Sequence, residues 1–221
     1  MKEFFKTYSV FYKKIELIIF LLITPIVITA VTIVLCDPIK DKEGLYYIIF
    51  LAACITAVGE YETDWLIFRG SLFKRSTWLL ALTSNKGERI VRKGLLADGL
   101  RRLLQTLIIL GINAAYIIIN GYKNISGIIV LVLTMTFVIY GINSLIYNFT
   151  RYLSAAFINN FIAVICSLGT CFTCYLILKA YENHYNMMVP LLGIFIIMSL
   201  IVTILTDRHF VYRFRNGDKN D

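Results

Sequence analysis

Three carboxylates follow the end of an apolar stretch, and their spacing could support two kinds of chemistry. Glu60 and Asp64 are four residues apart, so on a helix they share one face, and Glu62 lies between them. Arg101 and Arg102 stand at the start of a later apolar stretch and are candidate structural ion-pair partners for these acids. The alternative is a proton or cation site. The ion-pair hypothesis is favoured because we expect the acids near the edge of a membrane, where pairing relieves their desolvation.

Other reactive residue types are sparse. The two histidines, His184 and His209, are far apart and neither belongs to a His-Glu-x-x-His pattern, which argues against a membrane metalloprotease built on Glu60, Glu62 and a histidine. The five cysteines fall within or at the edges of apolar stretches, where disulfides are not expected. No Gly-x-x-x-x-Gly-Lys phosphate-binding motif occurs, so we predict a chain that is not an enzyme and binds no cofactor of its own.

The composition indicates a membrane protein. Of 221 residues, 58% are hydrophobic and 16% are charged, and the mean hydropathy is +0.73. An ordinary soluble domain is about half apolar. Six stretches are candidates to cross a hydrocarbon layer of roughly 30 Å. They lie near residues 15–36, 45–67, 95–119, 127–148, 155–178 and 189–206. The second is the shortest in apolar content, because its uninterrupted part ends before Glu60.

The basic residues predict the orientation. Eighteen of the 22 lysines and arginines fall on one side if the chain crosses six times and both termini are cytoplasmic. Seven of them lie together between the second and third spans: Arg69, Lys74, Arg75, Lys86, Arg89, Arg92 and Lys93. The net charge of +8 therefore needs no nucleic-acid partner, because the charge asymmetry and anionic lipid account for it.

The predicted fold is all-α and forms a single domain over residues 1–221. Residues 1–14 carry aromatic side chains on one helical face and lysines largely elsewhere, which predicts an amphipathic helix lying on the inner membrane surface. Six spans follow over residues 15–206, and residues 207–221 form a cytoplasmic tail. Between spans two and three, residues 71–82 predict a short helix. After a turn, a second helix is predicted from Lys86 to Ile119, long enough to project into the cytoplasm.

The segment after the short helix resembles a family of transporters. Its sequence is Trp78-Leu-Leu-Ala-Leu82-Thr-Ser84-Asn-Lys86-Gly-Glu88-Arg-Ile90-Val91-Arg-Lys93-Gly-Leu-Leu96. It is similar to a stretch of bacterial type-two ABC transporter permeases that reads leucine-rich, Leu-Pro, a small residue, a polar or basic pair, Ile-Val, a spacer, Lys and Leu-Leu. The chain departs from that pattern at Thr83, where those proteins usually carry proline.

The resemblance implies a function. In that family the loop between spans two and three holds a coupling helix that contacts the ATPase, and residues 71–86 occupy that position here. The implied coupling residues are Leu72, Phe73, Leu79, Leu80, Leu82, Thr83, Ser84, Asn85 and Lys86. The expected protein is the permease of an exporter in a bacterial cell membrane, dimerising with itself or a related permease, with ATP and Mg²⁺ bound by separate cytoplasmic ATPase subunits.

The substrate implied by the resemblance is a hydrophobic or amphipathic peptide, such as a toxin or bacteriocin, or a drug. Two other classes of function fit the same hydropathy. One is an ion- or proton-coupled secondary carrier, and the other is a membrane immunity or scaffold protein that transports nothing.

Overall fold

The computed structural model describes residues 18–36, 47–68, 87–121, 124–150 and 156–216. Within these ranges the chain is helical almost throughout and contains no strand. Six α-helices occur there: α1 Thr24–Cys36, α2 Tyr47–Phe68, α3 Gly87–Ile119, α4 Ile125–Thr150, α5 Ala156–Asn183 and α6 Met188–Asn216. A π-helical turn, Ile19–Ile23, leads into α1, and a 3₁₀ turn, Tyr185–Met187, leads into α6. The predicted all-α class is confirmed for this part of the chain.

Five of the described helical segments are long and apolar enough to cross a membrane. They are Ile19–Cys36, Gly87–Ile119, Ile125–Leu145, Val164–Asn183 and Met188–His209. The predicted second span corresponds to α2, whose apolar part is the shorter stretch Tyr47–Gly59. Five spans are therefore supported by length and composition, and the sixth stays a prediction. The predicted N-terminal interfacial helix and the predicted coupling segment, residues 71–86, lie outside the described residues.

Helix α4 lies at the centre of the bundle and packs against α2, α3, α5 and α6. Its inward side chains include Ile128, Leu131, Met135 and Ile139, all fully buried. They form one apolar core with residues from α2, α3 and α5. Burial among other helices brings no hydrophobic gain over lipid, so these contacts stabilise the bundle through close packing.

The contact between α4 and α6 depends on a glycine. A Cβ atom added to Gly141 would lie 3.0 Å from Cβ and 3.2 Å from Cα of Ser199 on α6. Two backbones can approach this closely only where side chains are small, which is the usual way that membrane helices pack. Gly141 and Ser199 therefore mark the point where α6, whose other side chains are largely exposed, is held to the centre of the bundle.

A proline explains the irregular start of α1. Pro25 has no N–H group, so it cannot donate to the carbonyl oxygen four residues earlier, and its ring clashes with that carbonyl. The turn before it widens, and the Thr24 N–H donates to the carbonyl oxygen of Ile19, five residues back. This π-helical turn sets the direction in which Phe20 points, and Phe20 is fully buried.

Most hydroxyl groups within the spans bond to their own helix. The threonine Oγ1 atoms of Thr32, Thr56, Thr136 and Thr170 each donate to the carbonyl oxygen four residues earlier, at 2.6–2.8 Å. A hydroxyl satisfied in this way adds no unpaired polar group to the apolar interior.

Candidate functional site

Helix α3 has two different faces over its first half. Leu96 and Leu100 are exposed, with 66% and 42% of their surface accessible. On the opposite face lie polar and charged side chains that are at least 97% buried: Asp98, Arg101, Arg102, Gln105 and Thr106. The spacing of these residues, three or four positions apart, places them on one side of a helix. The charges therefore point into the bundle and the leucines point outward.

Asp98 links the two arginines. Its Oδ1 accepts a hydrogen bond from Nη2 of Arg101 at 3.2 Å, and its Oδ2 pairs with Nη2 of Arg102 at 3.3 Å. The Nη1 group of Arg101 also donates to Oε1 of Gln105 at 2.8 Å. One carboxylate thus serves two guanidinium groups, and an amide one turn further along α3 continues the chain of contacts. We call Asp98, Arg101, Arg102 and Gln105 the charged cluster.

The ring of Phe20, on the π-helical turn before α1, lies over the charged cluster. The Cζ atom of Arg101 lies 4.4 Å from the centroid of the Phe20 ring. A guanidinium at this distance from an aromatic face is held by a cation–π attraction, which grows as both groups lose water. Because Phe20 stands on the π-helical turn, the irregular backbone before Pro25 brings an aromatic ring onto a buried charge. Irregular turns of this type often occur at functional sites.

The position of the charged cluster along α3 makes it unusual. The exposed apolar face begins at Leu96, and Arg101 lies five residues further in, about 7.5 Å at 1.5 Å per residue. Charged side chains within the thickness of a membrane are costly, so they face the interior of a bundle and pair with one another. Such residues are functional-site candidates by default, and this cluster is the candidate site of the chain.

The same face of α3 carries one more contact between helices. Nδ2 of Asn113 donates to Oγ1 of Thr29 on α1 at 3.2 Å and to the carbonyl oxygen of Ile109 at 2.8 Å. Asn113 is fully buried. Phe20, on the π-helical turn, and Thr29, on α1, therefore both contact α3.

A second polar group lies at the other end of the bundle, between α2 and α5. The hydroxyl of Tyr47 donates to Oε1 of Glu182 at 3.0 Å, and Nζ of Lys179 pairs with Oε2 of the same carboxylate at 2.6 Å. Lys179 also lies 6.0 Å from the centroid of the Tyr175 ring. The half-buried side chains here and their position at helix ends indicate a structural clamp between α2 and α5.

The structure addresses only part of the predicted site. Arg101 and Arg102 are buried and paired, as an ion-pair role requires, and the partner found among the described side chains is Asp98. Glu60, Glu62 and Asp64 lie on α2, which packs against α3, but their side chains are not described. Pairing between these acids and the arginines therefore stays a prediction. The nine implied coupling residues, Leu72, Phe73, Leu79, Leu80, Leu82, Thr83, Ser84, Asn85 and Lys86, lie outside the described residues.

Sequence reasoning missed three members of the site: Asp98, Gln105 and Phe20. A signal for the first two was present, because 98, 101, 102 and 105 repeat at helical spacing within an otherwise apolar stretch. Phe20 carries no such signal, since one aromatic residue in an apolar segment looks like any other. His184 directly precedes the 3₁₀ turn that leads into α6, and His209 lies in the second half of α6. No group of His, Cys, Asp and Glu that could hold a metal occurs among the described residues.

Comparisons of the chain with protein-family models, with curated proteins and with solved structures found no match in any of the three. The class of the molecule therefore follows from its own fold and composition: a helical bundle with five segments able to cross a membrane and a charged cluster buried within one of them.

Proposed function

We propose that the chain is the membrane-spanning permease of an ATP-driven bacterial exporter. It has six spans, both termini in the cytoplasm, and a coupling segment at residues 71–86 that contacts a separate ATPase subunit. The support is the resemblance of residues 78–96 to type-two ABC permeases, together with five helices of spanning length. ATP and Mg²⁺ bind to the ATPase, and this chain dimerises with itself or with a related permease.

The observation that carries the proposal is the continuity of α3. The helix runs unbroken for 33 residues from Gly87, directly after the coupling segment, to Ile119. At 1.5 Å per residue it is about 50 Å long, against roughly 30 Å of hydrocarbon. A force applied at residues 71–86 would therefore act on a rigid element. Arg101 of the charged cluster contacts Phe20 on the π-helical turn that leads into α1. A movement of α3 would therefore also move α1.

The short links between helices support a direction of transport, and the resemblance supports a class of substrate. Two links at the far end of the bundle are short in sequence: residues 120–124 join α3 and α4, and residues 184–187 join α5 and α6. Such links leave little surface for an external binding protein that would deliver a ligand for import. We therefore favour export, with hydrophobic or amphipathic peptides, such as toxins and bacteriocins, or drugs as the substrate.

The first test is capture of the partner. The tagged chain is purified from its own host in mild detergent and assayed for a co-purifying ATPase with vanadate-sensitive ATP hydrolysis. Leu79→Asp or Leu80→Asp is expected to abolish co-purification, because a carboxylate in an apolar contact is not solvated. Met187→Asp is the matched control: it makes the same apolar-to-acid change at an exposed position in the 3₁₀ turn at the far end of the bundle.

Two outcomes would contradict the proposal. One is purification of the folded chain with no ATPase. The other is equal capture of an ATPase by wild type, Leu79→Asp and Leu80→Asp, which would show that the predicted coupling segment makes no essential contact.

The buried charge on α3 favours a second candidate, an ion- or proton-coupled carrier. Asp98 is a carboxylate 99% buried within a span, which is the position that proton-coupled carriers use. Vesicles that contain the purified chain alone separate the candidates. Transport driven by a proton gradient without ATP, and lost in Asp98→Asn or Glu60→Gln, would support the carrier. Absence of transport with and without a captured ATPase would leave the scaffold or immunity class.

A further inference from the structure

The exposed face of α3 changes character at one level. Leu96 and Leu100 are exposed, and so are Arg89, Arg92 and Lys93 in the preceding turns. From Leu96 to Ile119 the exposed positions are apolar, over about 35 Å at 1.5 Å per residue. That length is close to the thickness of a hydrocarbon layer, roughly 30 Å. The exposed residues change from basic to apolar between Lys93 and Leu96. This change therefore lies where a bilayer would change from headgroups to hydrocarbon.

Helix α6 shows the same change at the same end of the bundle. Ile204 and Leu205 are exposed, and the next exposed residues include Arg208 and Tyr212. From Met188 to Leu205 the helix extends about 26 Å, again close to the hydrocarbon thickness. Tyrosine at such a boundary is typical of membrane proteins, because its ring is apolar and its hydroxyl is polar.

The two boundaries lie at the same end of two neighbouring helices. Helices α3 and α6 pack against each other, and next to each basic turn a valine is buried, Val91 on α3 and Val211 on α6. We call Arg89, Lys93 and Arg208 the basic belt. Among the described residues of these turns, the basic side chains are exposed, whereas the two acids, Glu88 and Asp207, are partly buried, with 41% of the Glu88 side chain exposed. Glu88 pairs with Arg92 at 2.6 Å, so Arg92 contributes less positive charge than the three belt residues.

We propose that the basic belt binds the headgroups of anionic phospholipids. Charge complementarity selects a negatively charged ligand, because basic residues near a membrane surface attract acidic lipid. The leucines and isoleucine directly beside the basic belt select a ligand with acyl chains rather than a free anion. The proposal is independent of the ATPase, since it concerns the lipid surface and not the segment at residues 71–86.

The test is a lipid titration of the purified full chain in neutral detergent. Binding of phosphatidylglycerol and of phosphatidylcholine is measured by native mass spectrometry, and inorganic phosphate is added in parallel as a competitor. We expect wild type to prefer phosphatidylglycerol. Each of Arg89→Gln, Lys93→Gln and Arg208→Gln should weaken that lipid about fivefold and leave phosphatidylcholine unchanged. Added salt should reduce the preference, because exposed charges are screened.

Lys179→Gln is the matched control. It removes one positive charge from the opposite end of the bundle and should keep the full preference for phosphatidylglycerol. Circular dichroism of each variant shows whether the helices remain folded, and the remaining single substitutions decide the question if one of them does not fold.

Three results would overturn the proposal. The first is equal binding of the two lipids by wild type. The second is loss of the preference in Lys179→Gln to the same extent as in Lys93→Gln. The third is displacement of the lipid by inorganic phosphate at matched concentration, which would identify a site for the free anion instead.

Discussion

Replacement of Asp98 by asparagine tests whether the charged cluster stabilises the bundle. Asparagine has nearly the same shape, so the packing on α3 is kept while the negative charge is removed. In the wild type the two Asp98 oxygens lie 3.2 Å and 3.3 Å from nitrogens of Arg101 and Arg102. In the variant both guanidinium groups stay buried, but each no longer contacts a negatively charged carboxylate oxygen at position 98.

The expected cost follows from the burial and the distances. Loss of one member of a buried ion pair typically destabilises a protein by about 3–5 kcal/mol. The two distances are at the long end of the range for such hydrogen bonds, so the lower part of that interval applies. We expect Asp98→Asn to lower the free energy of unfolding by about 3 kcal/mol, which is roughly a 150-fold change in the unfolding equilibrium.

The assay is equilibrium unfolding in mixed micelles with a rising fraction of sodium dodecyl sulfate, followed by circular dichroism. Glu88→Gln is the control on the same helix. It also neutralises one carboxylate of an ion pair, but the Glu88 and Arg92 side chains are 41% and 59% exposed. An exposed pair at this spacing contributes about 0.3–0.5 kcal/mol, so the control should unfold almost like the wild type.

A small effect would refute the reasoning. If Asp98→Asn unfolds within experimental error of Glu88→Gln, then Asp98 is not the group that stabilises the arginines. Their charge would then be balanced from elsewhere, and the predicted acids of α2 would be the next residues to neutralise.

Three further substitutions test the packing around the site. Gly141→Leu should destabilise the bundle by about 1–3 kcal/mol through overpacking against α6, whereas Gly169→Leu, where nothing lies within 4 Å of an added Cβ, should have little effect; equal stability in mixed micelles would contradict the close contact. Tyr47→Phe removes a hydrogen bond to a carboxylate and should cost about 1.5–3 kcal/mol, measured against Tyr212→Phe at a position 66% exposed. Phe20→Leu removes the cation–π contact and should lower the free energy of unfolding by about 0.5–2 kcal/mol, and Phe20→Tyr should restore it. An unchanged free energy of unfolding in Phe20→Leu would mean that the ring does not hold the guanidinium.

The length and course of α3 could be predicted from sequence. The apolar stretch from Leu95 onward is continuous with a polar segment, and no proline lies between Gly87 and Ile119. The described helix begins within one residue of the predicted start and ends at the predicted residue. The placement of charges on α3 could not be predicted in the same way. The spacing of positions 98, 101, 102 and 105 indicates a shared helix face, but only tertiary packing decides that this face, and not the leucine face, turns inward.

The same limit applies to contacts between helices. Hydropathy identifies a segment that can cross a membrane, but it does not say which neighbour each face meets. The meeting of Gly141 with Ser199, and of Tyr47 with Glu182, depends on the order and rotation of the helices in the bundle. These contacts are long-range in sequence, and a single sequence carries no pattern that pairs them.

Helix α2 shows why hydropathy gives a weak result for a helix whose described part is largely enclosed by protein. The helix packs against α1, α3, α4 and α5. Among its described side chains, from Tyr47 to Gly59, Val58 is exposed and the others are buried or half-buried. A helix surrounded by protein has little contact with lipid, so a long apolar run is not required of it, and acids such as Glu60 can face other helices. The short apolar stretch of α2 is therefore compatible with a sixth span, because its partners rather than lipid surround it.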